Sequence, residues 1–432
     1  MCHQFHWSIY VSVPWISKDA FVRFVVQILF AVILGALIII GITARYMPPH
    51  HVIARIDALS DPDKVRWTAQ SVSELFPTRI VARGDKTFRF DNDPDFLTGF
   101  NYTFEGQTHT IESMMHDMET LGLIVVHKGV VIYENYNEGS GPHSHFTSYS
   151  LVKSLVSTLI GFAIKDGAIS GVSDKLEAYL PELVTTAYAG VTIKQALQMS
   201  SGIRFDDPLK GEADDTVNWG LTAVILNNKS AFEAALRFPR ISPPGTVFNY
   251  NTAETQILLE LLARTTKMDA ADYMSQKIWQ PLGMKHDASW VIDRPGSGGR
   301  EIGGAFFNAT LGDWARFGFF ISRDGVWESE PLLPDKWLAD ATITTEAHLA
   351  HGKVDKNWRK GYGWHWWTFA DRTFQADGSR GQSIFIDPAR ELVVARASAW
   401  PEDWVENYDD QTHAFYSGLS AFVDSKSSAA RK

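Results

Sequence analysis

The most apolar stretch of the chain comes early. Phe24 to Ala44 reads FVVQILFAVILGALIIIGITA, with no charge and only Gln27 and Thr43 strongly polar. A helix of this length crosses a bilayer core of roughly 30 Å, and a buried soluble helix would keep a polar face. The pattern therefore predicts a transmembrane helix over 24–44 behind an N-terminal tail, 1–23. A cleaved signal peptide is the alternative, but its n-region would be unusually long and Ile42-Thr43-Ala44 does not fit a small-x-small cleavage site. Lys18 and Arg23 precede the span while Arg45, Arg55 and Lys64 follow it, so flanking charge does not set its orientation.

Residues 45–105 mix Pro, Asp and Arg with short apolar runs and read as a linker and a preface to the body that follows. Ile111–Thr120 has helical spacing. Leu121–His127 and Val130–Tyr136 are strand-like runs flanking Lys128-Gly129, which marks a hairpin. Leu151, Val152, Leu155, Val156, Leu159, Ile160 and Ala163 repeat as one helical face over Ser150–Lys165, which Asp166-Gly167 ends. Helical segments and loops dominate to about 355, including an amphipathic pattern over Glu254–Leu262. Strand-like runs return at Gly361–Ala370, Gln382–Asp387 and Leu392–Ser398, with a turn at Pro388-Ala389. A last helix is predicted over Asp410–Val423, capped by Asp409 or Asp410. Strands at both ends of a helical middle predict one sheet assembled from both ends, with a helical insertion over about 166–355.

Composition narrows the function classes. The 432 residues carry a net charge of −10 and a pI near 5.8, so no basic field would draw nucleic acid. Cys2 is the single cysteine, which excludes an intrachain disulfide and a cysteine-based zinc site. The chain has 15 Trp, with Trp364, Trp366 and Trp367 clustered; these pack a sheet or line a substrate cleft. There is no G-x-S-x-G, no H-E-x-x-H, no Walker A and no dinucleotide glycine motif. His143-Ser144-His145 lacks the Asp of a dinuclear zinc site and reads as loop, and His365 between two tryptophans reads as packing.

The candidate chemistry is Ser150-Leu151-Val152-Lys153, an S-x-x-K at a helix start. Residues three apart share a helix face, so hydroxyl and amine can meet. A serine hydroxyl needs a base within hydrogen-bond reach, and lysine serves as one when desolvation lowers its pKa. S-x-x-K alone occurs by chance in many chains. Two further segments add to it: Pro243-Pro244-Gly245-Thr246-Val247-Phe248-Asn249-Tyr250-Asn251-Thr252, which places a tyrosine on a loop before a helix, and Gly378-Ser379-Arg380-Gly381-Gln382, a glycine-rich strand edge that lets a substrate backbone approach.

These three segments, in this order, resemble the serine β-lactamases, penicillin-binding proteins and β-lactamase-like esterases. The stretch Val191–Ile203 with its Ser200-Ser201-Gly202 and the run from Gly303-Gly304 to Gly318 fit the same family. The Tyr-Asn-Thr and Gly-x-x-Gly-Gln versions are most similar to 6-aminohexanoate-dimer hydrolases and related carboxylesterases. The resemblance covers about 110–424. It implies an α/β (α+β) fold, an antiparallel sheet flanked by helices plus a helical subdomain, in a hydrolase domain over 106–424 followed by a tail, 425–432. It implies that Ser150 is the acylated nucleophile, Lys153 its base and Tyr250 the proton carrier to the leaving group. The oxyanion hole would combine the Ser150 N–H with one from the strand around Gln375–Ser379. Gly378, Arg380, Gly381 and Gln382 would bind substrate, a small-molecule amide or ester, without metal or cofactor. Exported relatives would place the catalytic body in the periplasm or otherwise outside the cytoplasm, as a single-pass membrane protein.

The chain departs from the family pattern at the third motif. No Lys-Thr-Gly precedes Gly378; the residues there are Thr373-Phe374-Gln375-Ala376-Asp377. The lysine that would hold a substrate carboxylate is missing, which argues against penicillin and peptidoglycan substrates. Arg380 is either a replacement anchor or an exposed arginine at the strand edge. The alternatives to an amidase or esterase are a β-lactamase or D,D-peptidase, and a catalytically silent, membrane-anchored binding protein of the same fold.

Overall fold

The structure is a computed structural model that describes residues 50–137, 139–206, 215–220, 223, 230–354 and 359–429. The 24–44 run lies outside them. No helix among the described residues is long and apolar enough to cross a membrane. Ala54–Lys432 forms one compact unit and Met1–Ile53 another.

Among the described residues of the larger unit, the main sheet has eight strands: β1 (Asp91–Asn92), β2 (Thr120–His127), β3 (Val130–Tyr136), β4 (Gly361–Tyr362), β5 (Trp367–Thr368), β6 (Phe374–Gly378), β7 (Gln382–Asp387) and β8 (Leu392–Ser398). Their order is β4-β5-β6-β7-β8-β2-β3-β1. All neighbours are antiparallel except β1 and β3. β8 lies against β2, with Leu392 opposite His127 and Ala395 opposite Ile124, so the two ends of the chain close one sheet. β2, β7 and β8 are buried along their whole length, because helices cover both faces. On one face lies α3 (Leu311–Ser322), with Gly318 close enough that a Cβ would stand 2.5 Å from Val393. On the other lies the long α4 (Glu406–Ala429), whose Phe415, Tyr416 and Leu419 join Leu123, Val125, Phe385 and Val394 in one core cluster.

Two helices carry the central residues. α1 (Val152–Lys165) is buried from Val152 to Ala163, and α2 (Thr252–Thr266) from Thr252 to Ala263. The Glu254–Leu262 pattern is thus not that of a half-exposed helix: α2 is enclosed from Thr252 to Ala263, polar positions included. A second, four-stranded sheet of Thr78–Val81, Ala288–Val291, Phe307–Thr310 and His145–Thr147 leads into the turn before α1.

Three element readings need correction. The first helix stops at Asp117, because Glu119 takes a left-handed φ of 48° and turns the chain into β2. The expected strand over Gly361–Ala370 is two short strands, because His365 takes a φ of 61° between them. The last helix begins at Glu406, so Asp409 is not its cap; its carboxylate accepts instead from Lys360, at 3.1 Å.

Candidate active site

The nucleophile turn is built before α1 begins. Tyr149–Leu151 is a single 3₁₀ turn, and Tyr149 takes a left-handed φ of 42°, a conformation that a bulky residue adopts only when its surroundings impose it. Ser150 is thereby presented beside the start of α1, and Lys153, one turn on, points back to it. Lys153 is 2% exposed. Its Nζ donates to Ser150 Oγ at 2.7 Å, to the Gly304 carbonyl at 2.9 Å and to Thr252 Oγ1 at 3.3 Å. Thr252 arrives on the first turn of α2, and Gly304 on a loop that packs against that turn. A Cβ at Gly304 would stand 2.5 Å from Thr252 Cγ2, so glycine is what lets the carbonyl reach the ammonium.

Tyr250 comes from the loop before α2. Asn251 caps that helix by accepting from the Glu254 N–H at 3.2 Å, which fixes the residue preceding it. The Tyr250 ring stacks on Trp367 at 5.7 Å, and its centroid lies 4.9 Å from Lys153 Nζ. Tyr250 thus stands with Ser150 and Lys153, about a hundred residues away in sequence. His365 braces the arrangement from below. Its carbonyl accepts from Ser154 Oγ on α1 at 2.6 Å, and its Nε2 lies 3.2 Å from Thr255 Oγ1 on α2. Burial, and then the neighbouring Lys153 ammonium, bring its pKa down to about 3, so the ring is neutral.

The glycine-rich edge divides into two parts. Gly378 ends β6 against the nucleophile turn, where a Cβ would stand 2.1 Å from the Ser148 carbonyl. Together with Ser150, Thr216, Tyr250, Thr252, Trp367, Asp377, Ser379, Asp403 and Trp404 it lines a cleft of about 560 Å³, open mouth included. Arg380, Gly381 and Gln382 do not line this cleft; they build the wall behind it. The Arg380 guanidinium donates to the Trp400 and Pro401 carbonyls at 3.1 and 2.8 Å and pairs with Asp403 at 3.4 Å. Gly381 packs on Trp400, and Gln382 donates to the Ser398 carbonyl at 2.7 Å. Arg380, offered by the sequence as a carboxylate anchor or an exposed strand-edge arginine, has its guanidinium engaged with the 400–403 segment.

Sequence reasoning missed Thr252 and Gly304 as partners of the lysine, and Asp377, Asp403 and Trp404 as cleft wall; of the tryptophan cluster it offered as packing or cleft lining, Trp367 lines the cleft. The Thr252 and Gly304 contacts depend on tertiary approach. Asp377 carried a signal, an acid directly before the strand-end glycine. No group of three or more His, Cys, Asp or Glu among the described residues is placed to hold a metal ion.

The Beta-lactamase family profile matches residues 108–415. A curated relative, the 6-aminohexanoate-dimer hydrolase of Paenarthrobacter ureafaciens, is 24% identical over 376 residues, covering 84% of this chain and 92% of its own. Among solved structures, a Bacillus anthracis protein described as a 6-aminohexanoate-dimer hydrolase superposes with a TM-score of 0.74 at 24% identity, covering 83% of this chain and 94% of its own. EstCE1, a hydrolase with promiscuous acyltransferase activity, gives 0.56 at 16% identity over 70% of this chain and 95% of its own.

Proposed function

We propose, from the premise that this chain belongs to the beta-lactamase family of serine hydrolases, that it cleaves linear amides or esters through an acyl-enzyme on Ser150. The observation that carries the reading is the 2.7 Å contact between Lys153 Nζ and Ser150 Oγ at the base of an open cleft. In its amine form Lys153 takes the hydroxyl proton as Oγ adds to the substrate carbonyl, and the ammonium so formed keeps the Gly304 and Thr252 oxygens as acceptors. The Ser150 N–H and that of Ser379, the residue after β6, would receive the developing oxyanion. Tyr250 passes a proton to the departing amine or alcohol. Water then attacks the acyl-enzyme, the carboxylic acid leaves, and Ser150 regains its proton. Acyl chemistry of this kind needs no metal or cofactor.

The relative's name supports a linear amide as substrate, and the missing third-motif lysine supports the same direction. The uncharged 24–44 run supports a single-pass membrane anchor, and the resemblance to exported relatives supports a catalytic body that is periplasmic or otherwise outside the cytoplasm. The test of the catalytic reading is labelling by a fluorophosphonate probe. A single adduct on Ser150, lost in Ser150→Ala, is the expected result; an adduct mapped to Ser148, Ser154 or another serine overturns it.

A further inference from the structure

In the family pattern a lysine on the third-motif strand faces the substrate's carboxylate. Here the strand carries Asp377, and a lysine reaches it from elsewhere. Lys360, the residue before β4, extends across β5 to β6, where its Nζ donates to Asp377 Oδ2 at 3.2 Å and to Asp409 Oδ1 on α4 at 3.1 Å. The Trp404 ring covers the ammonium, 4.2 Å from its centroid. The pair is asymmetric toward the cleft: the Lys360 side chain is 4% exposed and the Asp377 side chain 14%. Asp377 lines the cleft; Lys360 does not. Gln375 Nε2 also donates to Asp377 Oδ2, at 2.6 Å. Two donors therefore fix one carboxylate oxygen, and Oδ1 remains for a ligand.

The rest of the wall has the same polarity. Among the described residues lining the cleft there are two carboxylates, Asp377 and Asp403, two tryptophans, Trp367 and Trp404, and no lysine or arginine. Carboxylates beside indole faces suit an ammonium group. A substrate carboxylate placed there would meet these carboxylate oxygens first, because the cations paired with them, Lys360 and Arg380, stand behind the lining.

We infer that Asp377, held in place by Lys360, is the specificity-determining residue of this cleft, selecting acyl groups that bring a cationic hydrogen-bond donor to the β6 edge and rejecting those that bring a carboxylate. The inference rests on the acyl-enzyme reading above. Lys360 is the positioning residue. It orients Asp377 and, being shared with Asp409, leaves the cleft face of the pair an acceptor.

The experiment uses p-nitrophenyl esters whose acyl chains of two to six methylenes end in an ammonium, a methyl or a carboxylate group. The wild-type protein is expected to give the highest kcat/KM with an ammonium end and the lowest with a carboxylate. Asp377→Asn, a near-isosteric change, should lower the ammonium-to-carboxylate ratio about tenfold, the loss expected for one charge-assisted hydrogen bond. Lys360→Met should lower the same ratio, and the double variant no further than Asp377→Asn alone; if Lys360→Met does not fold, the single Asp377 variant decides. A wild-type preference for the carboxylate series, or an unchanged ratio in a folded Asp377→Asn protein that still labels at Ser150, overturns the inference and leaves the hydrolase reading standing. Calorimetric binding of the ammonium- and carboxylate-ended amides to Ser150→Ala separates the two in the other direction. Selective binding of the ammonium end, lost with Asp377→Asn, supports the specificity even if the chemistry is carried by another residue, and equal binding of both ends refutes it.

Discussion

Lys153 is held by three oxygen partners in a buried site. Its use as a base therefore depends on the neutral amine being reached within this site, which an arginine cannot do. Lys153→Arg should lower kcat by on the order of 10²–10⁴-fold, measured on any ester that the wild type turns over; an active arginine variant removes the base assignment. Tyr250→Phe and Lys153→Ala should not add in the double variant, since both act in one proton transfer. Additive losses would assign them separate roles. Glu254 links stability to pH. Glu254 is buried on the first turn of α2, and burial holds its carboxyl well above the usual value of 4.5, with hydrogen bonding from Ser201 opposing that shift. The folded state thus keeps a proton that the unfolded state gives up. Glu254's contribution is fully present below about pH 4.5 and is lost as pH rises toward its raised folded value. Glu254→Gln, which mimics the protonated acid, should raise Tm relative to wild type by more at pH 8 than at pH 4. A pH-independent difference would show that Glu254 is not protonated on folding.

At the scale of elements, the catalytic geometry depends on how closely β6 meets the nucleophile turn. A methyl group at Gly378 would stand 2.1 Å from the Ser148 carbonyl, a backbone atom that cannot swing aside. Gly378→Ala should displace β6, with a stability cost of about 1–3 kcal/mol, as for other overpacked sites. Its loss in kcat/KM should exceed what the fall in Tm explains, because the turn that aims Ser150 moves with it. Full activity in Gly378→Ala would mean that this approach does not matter for turnover. Arg380 works at the same scale. Because it clamps the Trp400 and Pro401 carbonyls, Arg380→Ala should lower kcat/KM for neutral, acidic and basic esters alike. A loss confined to acidic esters would restore Arg380 as a carboxylate anchor.

The whole molecule joins an uncharged apolar run to a hydrolase body. If 24–44 is a membrane span, the full chain should stay in the membrane fraction through carbonate and high-salt washes, while a chain starting at Ala54 is released. Release of the full chain by carbonate contradicts the anchor. A reporter fused after Lys432 that works only in the cytoplasm contradicts the proposed side of the membrane.

The local regularities of this protein were legible in its residues. Strand-like apolar runs bounded by turn residues marked β2, β3, β7 and β8, and helical spacing of apolar residues marked α1, because an element that is buried must carry its apolar positions along the chain. The S-x-x-K spacing also placed Ser150 and Lys153 within reach, since three residues on a helix face return to the same side. Where pattern and structure part, a long-range demand prevailed. Asp409 reads as a cap by its position before a helix, yet it is drawn to Lys360 from β4, and the helix starts earlier. His365 interrupts a strand-like run because its backbone and ring are held by Ser154 and Thr255 on two separate helices. Asp377 looks in sequence like the simple loss of a cation. Only the order β4-β5-β6 shows that Lys360 stands behind it and turns the carboxylate toward the cleft. Which residues share an element is set by neighbours along the chain. Which charges meet across elements is set by the sheet order and by burial, where an unpaired charge is too costly to keep, and no spacing in the sequence encodes that.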